Sequence, residues 1–255
     1  MGYLRAPQAA ATVNSLAIIY QDPYLVAINK PSGLLVHRSK IDRHETRFAL
    51  QMLRDQLGQH VFPVHRLDKP TSGVLLFALS SEIARQVSQA FANNQVSKSY
   101  LAIVRGWCAE QGTIDYALKE QLDKMTDKLS RSDKPAQTAV THFKRLATVE
   151  LPFAVDKYPQ SRYSLVEAKP ITGRKHQLRR HFKHIAHPII GDAKHGKGSH
   201  NRFFQSQFDC HRLLLACTSL SIPHPISGEM VKLDAPLATD FQSVIAQLGW
   251  SSPIN

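Results

Sequence analysis

The chain is poor in three things: cysteine, long apolar runs and acidic residues. Its three cysteines, Cys108, Cys210 and Cys217, are an odd number without C-x-x-C spacing. That excludes a disulfide framework and a cysteine zinc site, and fits a reducing, cytoplasmic setting. No apolar run reaches the ~18 residues of a membrane helix, so no membrane partner is expected. The N-terminus offers only Arg5 before a weak Ala-rich patch, which is not a signal peptide. Asp and Glu total 20 against 32 Lys and Arg, a formal charge of +12. A cytosolic protein this basic meets a polyanion, and nucleic acid is the commonest one.

What remains is an ordinary globular composition. A chain of 255 residues, 43% hydrophobic, makes one large domain or two small ones. Residues 1–15 read as a poorly ordered extension and residues 16–255 as the domain proper. Leu16–Tyr20 and Tyr24–Asn29 read as strands split by Gln21-Asp22-Pro23. Glu45–Leu57 reads as a helix ended by Gly58. Ser80 is placed to cap a second helix running to about Asn94, with Ile83, Val87, Ala90 and Phe91 on its apolar stripe. Lys98–Gly106, Ala139–Val149, Arg162–Ala168, Arg212–Ile222 and Met230–Leu233 read as strands. Thr239 is placed to cap a last helix with Phe241, Val244, Ile245 and Leu248 inward. Glu110–Pro135 is polar and mixed in charge and reads as an excursion from the core. Strands outnumber helices and do not alternate with them, so the fold class is α+β around a mixed, mostly antiparallel sheet.

Two stretches carry chemistry. The first is His65-Arg66-Leu67-Asp68-Lys69-Pro70-Thr71-Ser72-Gly73, which runs directly into Val74-Leu75-Leu76-Phe77-Ala78-Leu79. Such an unbroken apolar run suits a central strand covered on both faces. Asp68 therefore sits beside a rigid element, either as a turn residue or as a carboxylate used as nucleophile or base. Asn29-Lys30-Pro31-Ser32-Gly33 is a second turn, and Lys30 is either a solvated charge or part of a cleft.

The second stretch runs from Thr172 to Pro188 and reads as a helix starting at Thr172-Gly173 and stopped by Pro188. Leu178, Phe182 and Ile185 form its buried stripe. His176, Arg179, Arg180 and Lys183 share a flank roughly opposite. No acidic residue interrupts 174–191, and a face of like charges repels itself unless an anion sits on it; RNA phosphates would be that anion. An arginine here can reach back to Asp68. His176, His181, His184, His187 and His195, with Asp192, invite a metal reading. There is no H-E-x-x-H, however, and the neighbouring cations repel a divalent ion, so neither metal nor cofactor is expected. Ser72 lies in no G-x-S-x-G elbow.

His65-Arg66-Leu67-Asp68 with Thr71-Ser72-Gly73 resembles the signature of the RluA-type pseudouridine synthases. Lys98–Gly106 resembles that family's second motif. Gly173-Arg174-Lys175-His176-Gln177-Leu178-Arg179, followed by His187-Pro188-Ile189-Ile190-Gly191-Asp192, resembles its third. The resemblance covers nearly the whole chain and extends to a member that acts on the uridine at tRNA position 65. It implies the pseudouridine synthase fold and cofactor-free isomerisation of uridine in structured RNA, tRNA first; no run resembles the S4-type module of some relatives, and a monomer is expected. Asp68 would be the catalytic residue, Arg179 its partner and Tyr100 the residue that stacks on the base and assists deprotonation. Arg66 would fill the space left by the flipped uridine, with Lys30, Arg174, His176, Arg180 and Lys183 on the RNA. The same chemistry on ribosomal RNA, or a non-catalytic RNA-binding module, are the alternatives.

Overall fold

The computed structural model describes residues 15–38, 44–120 and 135–251. Apart from Ser15, the extension expected at 1–15 lies outside them, as do residues 121–134 of the expected excursion. A ten-stranded sheet organises the molecule, in the order β1-β2-β4-β9-β5-β8-β7-β6. The strands are β1 (Ala17–Gln21), β2 (Leu25–Lys30), β3 (Phe62–Pro63), β4 (Ser72–Ala78), β5 (Ser97–Arg105), β6 (Gln111–Asp115), β7 (Val140–Leu151), β8 (Ser161–Pro170), β9 (Leu215–Pro223) and β10 (Met230–Asp234). β3 pairs with β4, and β10 with β9. Every pairing is antiparallel except β4 with β9. The mixed α+β sheet is the one expected.

The helices are α1 (Ala49–Leu57), α2 (Ser81–Ala92), α3 (Gln177–His184), α4 (Gly198–Phe208) and α5 (Thr239–Gln247). None of the described helices is long and apolar enough to cross a membrane. Leu25, Val26, Ile28, Leu53 and residues 74–78 of β4 pack into one core. The other half of the sheet has two: Leu101, Ile103, Tyr163 and Leu165 with α4 and α5, and Ala102, Val104, Val166 and Phe143 with Leu178 and Phe182 of α3. The alternation along β5 divides its side chains between these two cores, as a strand with two buried faces must.

Several boundaries differ from expectation for local reasons. α1 starts four residues late because Phe48 is extended and bridged to Leu35, whose carbonyl accepts from the Ala49 N–H. Gly58 ends it in the left-handed region, as anticipated. Ser80 does cap α2, accepting from the Ile83 N–H. Thr239 is the first helical residue of α5 rather than its cap, which is Ala238. The polar 110–135 segment is not wholly an excursion: β6 pairs with β7, and Leu118 bridges to Gln137. α4 was not legible, since it starts at a glycine without a side-chain cap.

The β4–β9 joint is only two residue pairs long, Ser72 with Ala216 and Gly73 with Cys217. Gly73 has φ +108°, and a Cβ there would lie 1.9 Å from the Cys217 carbonyl oxygen. Only glycine permits this approach of two backbones. Gly33 also has positive φ, at +84°, but a Cβ there would meet open space. Gly73→Ala is therefore expected to cost at least about 3 kcal/mol, and Gly33→Ala about 1–2 kcal/mol. Urea denaturation of the two variants checks this; equal midpoints would show that the joint tolerates a side chain.

Candidate active site

A cavity of about 630 Å³ opens beside the β4–β9 joint and is lined by the 64–68 loop, Thr71, Lys98, Tyr100 and the 170–179 segment. Its size suits a ligand of nucleotide scale. The 65–72 loop is gripped from behind. Lys30 is completely buried, and its Nζ donates to the carbonyls of Pro31, Leu34 and Lys69. The Gly33 N–H also reaches the Lys69 carbonyl, and the Ser32 hydroxyl donates to that of Pro70. On the strand side, His65 Nε2 accepts from the Leu76 N–H at 3.0 Å, and the Arg212 guanidinium donates to Ser72 Oγ at 2.5 Å. These bonds place Asp68 at the cavity wall.

Arg179 joins two carboxylates. Its Nη1 lies 3.1 Å from Asp68 Oδ2, while Nε and Nη2 make a bidentate pair with Asp192 at 2.7 and 2.8 Å. Arg179 is 6% exposed and Asp192 2%. Burial raises the Asp192 pKa, but Arg179 and the N–H groups of His195 and Lys194 outweigh it, so the carboxyl titrates below the usual range. Burial lowers the Arg179 pKa, and the two carboxylates reverse that into a net rise. A fork-shaped guanidinium suits this task better than an ammonium would, because it can hold three oxygens in fixed directions.

Tyr100 lies across the cavity, one strand from the joint. It pairs with Cys217 in β9, which itself faces Gly73. A β-bulge between Ser99 and Tyr100 shifts the register there, the device that re-aims a side chain at a functional site. Burial, then Cys217 and Asp68, push the Tyr100 phenol well above its ordinary value. It is a protonated phenol at neutral pH.

The structure revises several single residues. His176 is not helical: it has φ +56° and stands before α3, with Nε2 3.9 Å from Asp68 and Nδ1 3.0 Å from His195 Nε2. Burial brings it down to about 4, with Arg179, His195 and Lys194 opposing the pull of Asp68. α3 starts late because the Gln177 side chain accepts from the Arg174 N–H and the Thr172 hydroxyl, tying Thr172–Gln177 into a turn. Arg179 is buried rather than on a solvated flank. Arg174 and His176 line the cavity, whereas Arg180 and Lys183 do not. Lys30 as an RNA-contacting charge is also corrected, since its ammonium is enclosed by three carbonyls. Arg66 is exposed at the cavity mouth.

Three residues were missed. Asp192 enters the sequence reading as a metal ligand and as the last residue of the third motif, with no role there as a partner of Arg179, although a carboxylate closing a basic stretch signals a buried pair. Among the described residues no group of three or more His, Cys, Asp or Glu could hold a metal. Lys98 lines the cavity, with a pKa lowered by burial; its place two residues before Tyr100, on the same strand face, could have flagged it. Arg212 stands at the head of an apolar run and was read as strand.

The sequence profile described as RNA pseudouridylate synthase matches residues 24–184. The chain is 54% identical over 239 residues to a tRNA pseudouridine synthase C of Vibrio parahaemolyticus, covering 94% of this chain and 97% of that one. It is 53% identical over 237 residues to the one of Haemophilus influenzae, covering 93% and 99%. The fold is similar to the solved human RNA pseudouridylate synthase domain containing 4, with TM-score 0.68 and 28% identity over 93% of this chain and 94% of that one.

Several histidines sit below their ordinary value of about 6.5: half-buried His65 at about 3, half-buried His176 and buried His200 at about 4, with buried His181 and His195 also lowered, each chiefly through desolvation. Between those values and 6.5 the unfolded chain binds more protons than the folded one, so stability falls as pH drops through that window. Asp192 adds the usual carboxylate loss at still lower pH. Urea midpoints from pH 7.5 to 4.5 are expected to fall, with a shallower slope in His65→Gln. Identical slopes would show that His65 is not held neutral by the fold.

Proposed function

The chain belongs to the RNA pseudouridylate synthase family and is an RNA pseudouridine synthase; from that premise we propose that it isomerises a uridine of tRNA, at position 65, with Asp68 as the catalytic residue. The observation that carries the assignment of Asp68 is its place in the cavity wall, bonded to a buried arginine that a second, deeper carboxylate holds in position. Curated relatives named as tRNA enzymes support tRNA as the substrate. The whole-chain resemblance described above is what points to position 65.

In this reading the target nucleotide leaves its stack and enters the cavity, as reaction on a paired base requires. Arg66, exposed at the mouth, offers a planar cation to the space left behind. Asp68 acts on the nucleotide, the N-glycosidic bond breaks, and the base turns within the pocket and rejoins the sugar through C5. Arg179 donates to Asp68 Oδ2 and fixes its direction. Asp192 is a positioning residue, acting through Arg179. Tyr100 enters as a stacking surface and hydrogen-bond donor rather than as a ready-made phenolate base. Lys98, Arg174 and His176 are the polar wall available to the flanking backbone. Product and substrate are isomers, so the reaction needs no net oxidant or energy source. Residues 16–255 act as one catalytic unit, in the cytoplasm and as a monomer.

Tritium release from C5-labelled uridine in an unmodified tRNA transcript tests the proposal. Asp68→Asn is expected to lose turnover by at least about a thousandfold with RNA affinity largely kept. Mapping of the wild-type product should show pseudouridine at position 65. Asp192→Asn is expected to lower kcat by about tenfold to a hundredfold with little change in KM, the signature of a displaced catalytic group. Release that persists in Asp68→Asn would remove that residue from the chemistry, and release only from ribosomal RNA fragments would move the substrate.

A further inference from the structure

We propose that a cavity of about 710 Å³ at the far end of β5 and β8 is a second phosphate-binding site, which takes a phosphate of the RNA substrate away from the reacting uridine. The inference rests on the RNA-modifying reading and adds a site outside the catalytic cavity.

Charge accounting is the first support. Arg162 pairs with Glu150 at 2.6 Å and lies 4.4 Å over the Trp107 ring. Lys197 pairs with Asp156. Arg105 and Lys157 are left over: among the described residues neither guanidinium nor ammonium has an acidic partner, and Lys157 only lies 5.1 Å over the Tyr158 ring. Arg105 is half-buried at the end of β5. Its charge and that of Lys197 are felt by His200, which burial first and these two cations next hold down at about 4. A partly buried arginine without a counter-charge leaves its field to be met by something that binds.

Polar groups without full partners are the second support. Ser161 is 4% exposed at the start of β8, and its hydroxyl makes no well-formed hydrogen bond, interacting only weakly with the Tyr163 hydroxyl. The neighbouring Tyr163 hydroxyl is engaged with His200 Nδ1 at 2.9 Å. A buried serine hydroxyl is normally satisfied, and this one is closed off behind the cavity wall, where the fold leaves it without a full partner. The first turn of α4 borders the same cavity through Lys197 and His200. α4 has no side-chain cap and no acidic residue in its first turn, so its leading N–H groups and dipole favour an anion.

Position and shape select RNA as the source. Tyr100 and Arg105 lie on one strand, five residues or roughly 17 Å apart and on opposite faces of the sheet, so an RNA held at the catalytic cavity meets this end by passing over the surface of the domain. Tyr158, 61% exposed at the rim, offers a face on which a flanking base can stack.

The test measures tRNA affinity across a salt series for wild type, Arg105→Gln, Arg105→Lys and Lys157→Ala, with kcat from tritium release. Calorimetric titrations of each protein with inorganic phosphate and with uridine monophosphate run in parallel. Arg105→Gln is expected to weaken tRNA binding about tenfold and to flatten the salt slope by about 1, with kcat unchanged and most affinity restored in Arg105→Lys. Lys157→Ala should weaken it by a smaller factor. A short stem-loop that fits the catalytic cavity alone should bind wild type and Arg105→Gln equally. Saturable binding of phosphate or nucleotide that Arg105→Gln abolishes, with tRNA affinity unchanged, would support the phosphate site and overturn RNA as its source. Equal behaviour of all four proteins in every titration would overturn the site. Failure of wild type itself to bind tRNA would instead count against the tRNA reading.

Discussion

The whole arrangement depends on two backbones touching at Gly73. The sheet is two antiparallel halves, and the β4–β9 joint is the one parallel contact between them. A parallel pair of two residues contributes few hydrogen bonds, so its strength lies in the apolar β4 buried on both faces. The joint nonetheless fixes geometry that no other contact fixes. Gly73, Cys217 and Tyr100 stand in one row across β4, β9 and β5, and Asp68 lies five residues upstream of Gly73. The distance between the carboxylate loop and the tyrosine is therefore a matter of strand spacing, about 4.8 Å per strand, and not of loop flexibility. A side chain at position 73 would push the halves apart and separate the groups the proposed chemistry needs together.

Electrostatics finishes what the joint starts. Burying Arg179 and Asp192 in isolation would be costly, but together with the N–H groups on Asp192 they form a closed set. Arg179 then presents its remaining Nη1 edge to Asp68 without searching for a direction. Lys30 works by the opposite logic. Burial, then the Arg212 charge, pull its pKa down to about 7, yet its ammonium finds three carbonyls, two in its own turn and one in the Asp68 loop. It serves as a clamp between two turns, and a lysine in a turn sequence carries no sign of that until the turns are seen to touch.

This marks where the sequence was legible and where it was not. β4 could be read because burial on both faces removes polar alternation. α2 could be read because cap, stripe and dipole agree. Arg179 reaching Asp68 could be read from a run of cations without local counter-charge together with the family resemblance, although the two lie 111 residues apart. What escaped were features that depend on a tertiary partner. His176 turns left-handed because Gln177 folds back on the preceding segment. Arg179 is buried because Asp192 waits for it, which reverses the usual expectation for a charge on a helix flank. α4 forms without a capping signal and is held by packing of Phe204 against Tyr163 of β8, a case of tertiary contact overriding weak local preference.

β5 links the two basic regions. The family resemblance draws attention to its Tyr100 end, where the phenol meets the catalytic cavity. The same strand ends at Arg105, whose charge has no acidic partner among the described residues. A formal excess of twelve positive charges could be spread evenly for solubility, and then each buried or half-buried cation would still need its own carboxylate. Here Arg179, Arg162 and Lys197 have theirs and buried Lys30 has carbonyls instead, whereas among the described residues the exposed Arg66 at one end and the half-buried Arg105 at the other have no acidic partner. The half-buried guanidinium of Arg105 is hard to account for by stability, because pairing it would lower the cost of desolvation, and the exposed Arg66 is simply open to an anion. They are readily accounted for if a polyanion supplies the missing charge at both places, one near the reacting base and one further along its backbone.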